Sequence, residues 1–103
     1  MRPPAMDLQS FAAKADAVAQ MLRIIGNGRR LMLLCKLVEY GERKVGDLAD
    51  DVGLTQSALS QHLSRMRAEG ILAYRRDGQI LWYRIADPRA KVMLDTLYQL
   101  YCQ

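Results

Sequence analysis

The sequence predicts a mainly α-helical domain with one small β-hairpin, in the order helix, turn, helix, hairpin. Apolar residues at helical spacing mark two consecutive helices on either side of Gly53. Two strand-like segments then flank Asp77-Gly78, a strong hairpin signal because glycine accepts the positive φ of a tight turn. These features together predict a winged helix-turn-helix. A chain of 103 residues accommodates one such domain, spanning 1–103, with one modest core.

The N-terminal part of the chain predicts two helices. Residues 1–6 include two prolines and are expected to be disordered. Asp7–Ile25 carries a single apolar stripe at helical spacing, which predicts an amphipathic helix that ends at a Gly-Asn-Gly segment. Arg29–Tyr40 predicts a second, strongly apolar helix that ends at Gly41.

The helix-turn-helix itself lies within Lys44–Ile85. Its first helix is expected to end at Gly53, and Leu54 is expected to enter the core. Thr55 is a favourable N-cap for the second helix, because its hydroxyl can accept from a free backbone N–H. The face of the second helix that is expected to be buried comprises Leu59, Leu63 and Met66.

The opposite face of this second helix lacks the Lys and Glu pairs that are typical of an exposed helix. It carries short neutral side chains and has no acidic residue before Glu69. Such donors and acceptors suit base edges, and the absence of carboxylates avoids repulsion of phosphates. The pattern therefore favours a DNA-reading face over a merely polar surface. The candidate residues are Gln56, Ser57, Ser60, Gln61 and, on the flank, Arg65.

The predicted wing consists of Ala73–Asp77 and Gln79–Ile85. Arg75 and Arg76 lie just before the turn, where they are expected to reach backbone phosphates or the minor groove. The alternative is a solvated strand edge guarded by charge. A basic tip beside a helix-turn-helix favours phosphate contact.

A last helix is predicted to follow Asp87, which is an N-cap, with Pro88 at the first helical position. Apolar residues spread around most of its circumference, so a second surface must cover it. The first and last helices are therefore the expected interface of a homodimer. A two-fold dimer would place its reading helices in successive major grooves, about 34 Å apart, and would read an inverted repeat in double-stranded DNA.

Composition supports a nucleic-acid partner and excludes a membrane span. The net charge of +4 and the pI of about 9.3 favour a polyanion. No apolar run approaches the roughly 18 residues of a membrane span, and the N-terminus lacks the apolar core of a signal peptide. We therefore expect a cytoplasmic protein, in which the two cysteines are free, metal-bound or redox-active.

The segment VGDLADDVGLTQSALSQHLSRMRAEGIL, followed by RRDGQILWYRI, resembles the ArsR/SmtB family of winged-helix repressors. The resemblance implies a homodimer paired through its first and last helices. It also implies repression through operator DNA, which an inducer releases. The motif positions that carry over as base-reading candidates are Gln56, Ser57, Ser60 and Gln61. His62 lies in the same motif as a capping or phosphate-contacting residue.

Two metal sites familiar in that family are missing from this sequence. The Cys-x-Cys-Asp site of the first motif helix corresponds here to Lys44-Val45-Gly46-Asp47, which has no sulfur. The site in the last helix needs a histidine, and His62 is the one histidine of the chain. We therefore expect no metal ligands and no cofactor, and we expect zinc, cadmium and arsenite to leave operator affinity unchanged.

Cys35 and Cys102 resemble the cysteine pair of the sulfide- and persulfide-responsive subgroup of that family. This resemblance implies a switch in which reactive sulfur or an oxidant bridges the two, directly or through extra sulfurs. Cys35 shares a helix face with apolar residues, so packing is the alternative interpretation. If the switch exists, nearby cations such as Arg29, Arg30 and Lys36 favour Cys35 as the attacking thiol.

Three other functions remain open at this point. The protein could be a DNA-binding regulator whose cysteines are structural and sense nothing. It could be a winged-helix module for protein interaction, although the carboxylate-free helix and basic wing disfavour this. An enzyme is disfavoured because the chain has no Cys-x-x-Cys and no phosphate-binding glycine loop.

Overall fold

A computed structural model describes residues 6–102. The expectation of disorder for residues 1–5 lies outside this range, and Met6 precedes the first helix. The described residues form a mainly helical structure with one small sheet. The helices are α1 (Leu8–Ala12), α2 (Ala15–Ile25), α3 (Gly28–Tyr40), α4 (Val45–Val52), α5 (Gln56–Ala68) and α6 (Pro88–Tyr101). The strands are β1 (Arg43–Lys44), β2 (Leu72–Asp77) and β3 (Ile80–Ile85).

The single helix predicted over Asp7–Ile25 is divided in two. Asp7, which was expected to lie within the helix, instead caps α1, since its carboxylate accepts from the Ser10 backbone N–H. The Lys14 N–H then donates to the Phe11 carbonyl three residues back, which tightens the turn between α1 and α2. Ala13 and Lys14 keep right-handed helical backbone angles. The break is therefore a local tightening of one helical path.

The helix-turn-helix has the predicted caps. Thr55 accepts from the Ala58 N–H at 3.1 Å and so starts α5. Gly53 ends α4 in the left-handed region at φ 67°, a conformation that glycine adopts without steric cost. Leu54 is half-buried against the core, as expected. Upstream, the Asn27 side chain accepts from the Arg29 and Arg30 N–H groups and starts α3.

The wing is an antiparallel hairpin with a third, short strand beside it. β2 and β3 pair from Leu72 opposite Ile85 to Asp77 opposite Ile80. β1 pairs with the other edge of β3, which gives the strand order β1-β3-β2. The sequence analysis missed β1, because two residues are too few to show strand periodicity. This strand ties the start of α4 to the base of the wing.

The core lies between α2, α3, α4, α5 and the base of the hairpin. α3 is central, since it packs against α2, α4, α6 and β3. The largest fully buried side chains are Ile24, Leu33, Leu34, Leu37, Leu48, Leu59, Leu63, Met66, Ile71 and Leu72. Within residues 6–102 no helix is both long and apolar enough to span a membrane.

An apolar surface remains uncovered on the first and last helices. α1 has no buried residue, and α2 and α6 bury only two each. The exposed apolar side chains of these helices are Leu8, Phe11, Val18, Leu22, Val92, Tyr98, Leu100 and Tyr101. Such a patch on a small domain indicates an interaction surface.

Candidate DNA-reading face and thiol pair

The helix α5 has a buried side and an open polar side. Leu59, Leu63 and Met66 are buried, as the periodicity predicted. All five candidate reading and flanking residues are exposed, and they lie within the first ten positions of the helix. The polar side is therefore accessible along the N-terminal half of α5, which is the half that usually enters the major groove.

A cleft of about 490 Å³ separates α5 from the tip of the wing. Gln56 and Ser60 line its helix side, so these two candidates face the wing, while Ser57 and Gln61 lie outside the cleft. Lys44 and Gly46 contribute from the start of α4. The wing contributes Gln79, Ile80 and Leu81. Lys44 and the tip residues of the wing were not among the predicted site residues. The one signal in the sequence for Lys44 is its positive charge directly before α4.

The two wing arginines have different surroundings. Arg75 is held by Glu42 through Nε at 2.9 Å and Nη2 at 3.0 Å, and it lies over the Trp82 ring at 5.3 Å. The hydrogen bond from Arg75 holds the pKa of the Glu42 carboxyl below its usual range. Arg76 points to the other face of β2 and, among the described residues, has no ion-pair partner. Of the two wing arginines, Arg75 is therefore paired and Arg76 is not, and phosphate contact by either stays a prediction.

Trp82 forms the centre of a basic stack on the wing. The Lys44 ammonium lies 5.6 Å from its ring centroid, on the strand that pairs with β3. Its indole Nε1 is the one buried side-chain nitrogen or oxygen without a hydrogen-bond partner in the described part of the chain. The stack of Lys44, Trp82 and Arg75 joins the wing to the start of α4.

A second ion-pair group fixes α4. Arg43 donates to both carboxylate oxygens of Asp51, at 2.9 and 3.0 Å, and its guanidinium lies over the Tyr40 ring at 4.1 Å. This bidentate pair lowers the pKa of Asp51. The contacts join the end of α3 to β1 and α4, so α3 is linked to the helix-turn-helix through Arg43.

His62 does not lie on the open face of α5. It is half-buried and turned toward the start of α3, where its Nδ1 accepts from the Arg30 Nε at 3.2 Å. The sequence analysis grouped His62 with the DNA-binding residues on motif position. Its position in the fold indicates an internal contact.

Cys35 and Cys102 are both exposed and free. Cys35 lies on α3, and Cys102 is the residue that ends α6. Burial raises the pKa of the Cys35 thiol, and the charge of Cys102 raises it further. α3 packs against α6, so the fold places these two thiols, which are distant in sequence, on one helix and at the end of its neighbour.

The cations near Cys35 in sequence do not activate it. Arg29 donates to the Val52 carbonyl at 2.6 Å, and Arg30 donates to the Ile24 carbonyl at 3.0 Å and to His62. Lys36 pairs with Glu39 at 3.6 Å. The charges of these cations are directed elsewhere and the pKa of the Cys35 thiol is raised, so they give no reason for Cys35 to attack first; which thiol attacks first stays a prediction.

No group of three or more His, Cys, Asp or Glu residues that could hold a metal ion occurs within residues 6–102. The expectation that no metal acts as inducer remains a prediction.

Comparison with known proteins places this arrangement in a family. Residues 27–74 match the family model described as "Bacterial regulatory protein, arsR family". The transcriptional activator HlyU of Vibrio cholerae is 37% identical over 98 residues, which cover 95% of this chain and 90% of HlyU. The chain belongs to the ArsR family. The relatives it matches are named as transcriptional regulators, so this chain is a regulator of transcription in that family.

Solved structures agree with this assignment. The transcriptional repressor BigR from Xylella fastidiosa superposes with a TM-score of 0.87 at 36% identity, covering 95% of this chain and 99% of BigR. A homodimeric winged helix-turn-helix DNA-binding domain, Mb0332 from Mycobacterium bovis, superposes with a TM-score of 0.78 at 29% identity, covering 96% and 89%. The predicted winged helix-turn-helix is confirmed.

Proposed function

We propose that this ArsR-family regulator is a homodimeric repressor that reads an inverted repeat and releases it when Cys35 and Cys102 are oxidised. The observation that carries the DNA-reading part is the exposed, carboxylate-free polar side of α5 beside a basic wing. The observation that carries the switch is the presence of two exposed thiols on helices that pack against each other, Cys35 on α3 and Cys102 at the end of α6. Repression itself is inferred, since the relatives include both a named activator and a named repressor.

Alanine substitutions on α5 and on the wing test whether α5 reads bases and the wing contacts phosphates. Ser57→Ala and Gln61→Ala should weaken the cognate operator by about 1–3 kcal/mol each and leave random DNA nearly unaffected, because a lost base contact removes sequence discrimination. Arg76→Ala should weaken both DNAs alike and reduce the salt slope by about one. The operator is selected by the protein from a randomised duplex pool, and affinities are measured by fluorescence anisotropy.

Gln9→Ala is the matched control, because Gln9 is exposed on α1, outside the helix-turn-helix and the wing. Equal losses on operator and random DNA for Gln61→Ala would remove Gln61 from the reading role. No loss on either DNA for all three site variants would refute DNA reading by this face.

Glu42 is expected to restrain DNA affinity by holding Arg75. Glu42→Gln removes a negative charge and releases a guanidinium beside the wing, so affinity for operator and random DNA should rise several-fold together. The slope of log affinity against log salt should become steeper by about one, as expected for one added phosphate contact. Affinity measured at increasing salt concentrations checks this.

The control for this substitution is Glu39→Gln, which removes the same charge from α3, where Glu39 pairs with Lys36 rather than with the wing. An identical effect of both variants would show that net charge, and not Arg75, is responsible. A loss of affinity for Glu42→Gln would instead mean that the clamp holds the wing in its binding position.

The switch follows from the place of the two cysteines in the fold. Cys35 lies on α3, which packs against α2, α4 and α6, and Cys102 lies at the end of α6. A covalent link would fix α3 against α6. Arg43 then joins the end of α3 to α4, so a shift of α3 changes the tilt of the reading unit. Operator spacing tolerates little such change in a dimer.

The chemistry of the link balances with a low-molecular-weight persulfide as oxidant. A protein thiolate attacks the outer sulfur of the persulfide, takes it up as a protein persulfide and releases the parent thiol. The second protein thiol then attacks the inner sulfur of the protein persulfide, forms the Cys35–Cys102 disulfide and releases hydrogen sulfide. The two cysteines lose two electrons, and the added persulfide is reduced to a thiol and hydrogen sulfide. Hydrogen peroxide would give the same disulfide and two waters.

A regulator with purely structural cysteines is the alternative. It requires at least one of the two thiols to be packed, and both are exposed in the described chain. This observation favours the switch over the alternative.

A further inference from the structure

The Arg30 side chain connects the reading helix to the corner between α2 and α3. Its Nη1 donates to the Ile24 carbonyl in the last turn of α2, at 3.0 Å. Its backbone N–H donates to the Asn27 side chain that caps α3, at 3.2 Å. Its Nε donates to His62 Nδ1 on α5, at 3.2 Å. One residue therefore holds three helices in a fixed arrangement.

The hydrogen bond from Arg30 to His62 forms only when the imidazole of His62 is neutral. A neutral imidazole has one nitrogen that accepts, whereas both nitrogens of an imidazolium donate. Arg30 is always a donor. Protonation of His62 therefore removes the acceptor and replaces a hydrogen bond by a repulsion between two cations.

We infer that neutral His62 is a positioning residue for operator binding: by accepting from Arg30 it fixes α5 against the α2–α3 corner, and its protonation weakens binding to the operator. The inference rests on the proposed reading role of α5. It assigns His62 an internal role in place of the direct phosphate contact that its motif position suggested.

The charges around His62 all have the same sign. The groups that act on it are the guanidinium groups of Arg30 and Arg29, both from α3. Gln20 of α2 also donates to Glu69 at 3.3 Å, but Glu69 lies at the C-terminal end of α5, away from His62. Burial, Arg30 and Arg29 together lower the pKa of His62. The imidazole is thus neutral at neutral pH and is protonated only below its ordinary range.

The direction in which operator affinity changes on acidification distinguishes direct phosphate contact by His62 from positioning of α5 through Arg30. If His62 contacts a phosphate directly, acidification adds a positive charge at the DNA and operator affinity rises. If His62 positions α5 through Arg30, acidification breaks the internal contact and operator affinity falls. Because His62 is the one histidine in the chain, few other groups titrate in this interval.

The experiment measures operator affinity of the full chain from about pH 7.5 to about pH 5.5, the interval in which histidine titrates, for the natural protein and for His62→Asn. The Asn Oδ1 replaces Nδ1 as acceptor and does not titrate, and Asn and His have similar helix propensity. We expect the natural protein to lose about threefold more operator affinity than His62→Asn across this range, because a pKa of His62 that is about one unit lower in the bound protein is only partly titrated at the acid end. Equal slopes for the two proteins, or a gain for the natural protein, would overturn the inference.

Arg30→Lys provides a second test that does not alter the histidine. It keeps the positive charge and loses the planar donor. Its operator affinity should be low already at the upper end of the pH range, with a flattened pH dependence; natural affinity would contradict the inference. NMR titration of the imidazole without DNA should give a pKa below the ordinary 6.5. An ordinary pKa there would exclude the Arg30 contact. A lowered pKa together with no operator binding at any pH would instead refute the proposed reading role of α5, while the Arg30 contact would stand.

Discussion

Cys102→Ser should abolish the response to a persulfide and leave operator binding of the reduced protein unchanged. In the natural protein we expect an added persulfide to reduce operator affinity by about 100-fold, or about 2.7 kcal/mol, which is a shift that one covalent constraint can supply. The variant retains Cys35 but has no second thiol to complete the link. Cys102 is exposed at the end of α6, so serine should cost little stability.

The order of the two steps follows from the environment of Cys35. Burial and the charge of Cys102 raise the pKa of Cys35, so a small fraction of Cys35 is thiolate at neutral pH. We therefore expect Cys102 to attack first and Cys35 to resolve. In Cys35→Ser the persulfide adduct should accumulate on Cys102, where mass spectrometry detects an added sulfur. Alkylation by iodoacetamide should be faster at Cys102 than at Cys35.

Several controls make this prediction decisive. Dithiothreitol should restore operator binding, and zinc or arsenite at physiological concentration should not release the DNA. If Cys102→Ser still releases DNA with persulfide, a single-thiol modification at Cys35 is responsible and the dithiol mechanism is wrong. If persulfide does not release the operator from the natural protein, the cysteines do not form a switch and the alternative of structural cysteines stands.

Most of the fold could be predicted from the sequence because its elements are specified locally. Thr55, Asp87 and Gly53 are caps whose chemistry acts within a few residues, and each begins or ends a helix where predicted. The hairpin also forms, with its turn at Gly78-Gln79, one residue later than expected, because Asp77 still pairs with Ile80 and Gly78 adopts φ 63°. The boundaries of the other elements agree closely with those expected, apart from the break between α1 and α2.

The parts that were missed depend on contacts between distant residues. Glu42 and Arg75 form a hydrogen bond although they are 33 positions apart in the sequence. No local pattern therefore predicts that one of the two wing arginines is already paired. Arg30 and His62 are 32 positions apart, and sequence spacing alone placed Arg30 near Cys35 instead. Nearness in sequence therefore does not show which group a cation acts on, since side chains on one helix point in different directions.

Leu22→Glu should convert the dimer to a folded monomer and reduce operator affinity by at least about 100-fold. Residues Leu8, Phe11, Val18 and Leu22 recur at spacings of three, seven and four along α1 and α2, which places them along one exposed stripe. A carboxylate on this stripe would be buried without a partner in the dimer, at a cost of several kcal/mol. A monomer binds one half-site and loses the gain from linked binding, which is typically about 10²–10⁴-fold, so about 100-fold is the lower bound.

Gln9→Glu is the control for this substitution, because it adds the same charge at an exposed polar position of α1. It should remain dimeric by analytical ultracentrifugation and should bind operator with nearly natural affinity, which removes simple repulsion of DNA as the cause of the loss. Leu22 is already 50% exposed in the single chain. Leu22→Glu should therefore unfold at nearly the same temperature as the natural protein when the natural protein is diluted until it is monomeric. A Leu22→Glu protein that stays dimeric with natural affinity would place the interface elsewhere, and the exposed stripe on α1 and α2 would then need a different partner.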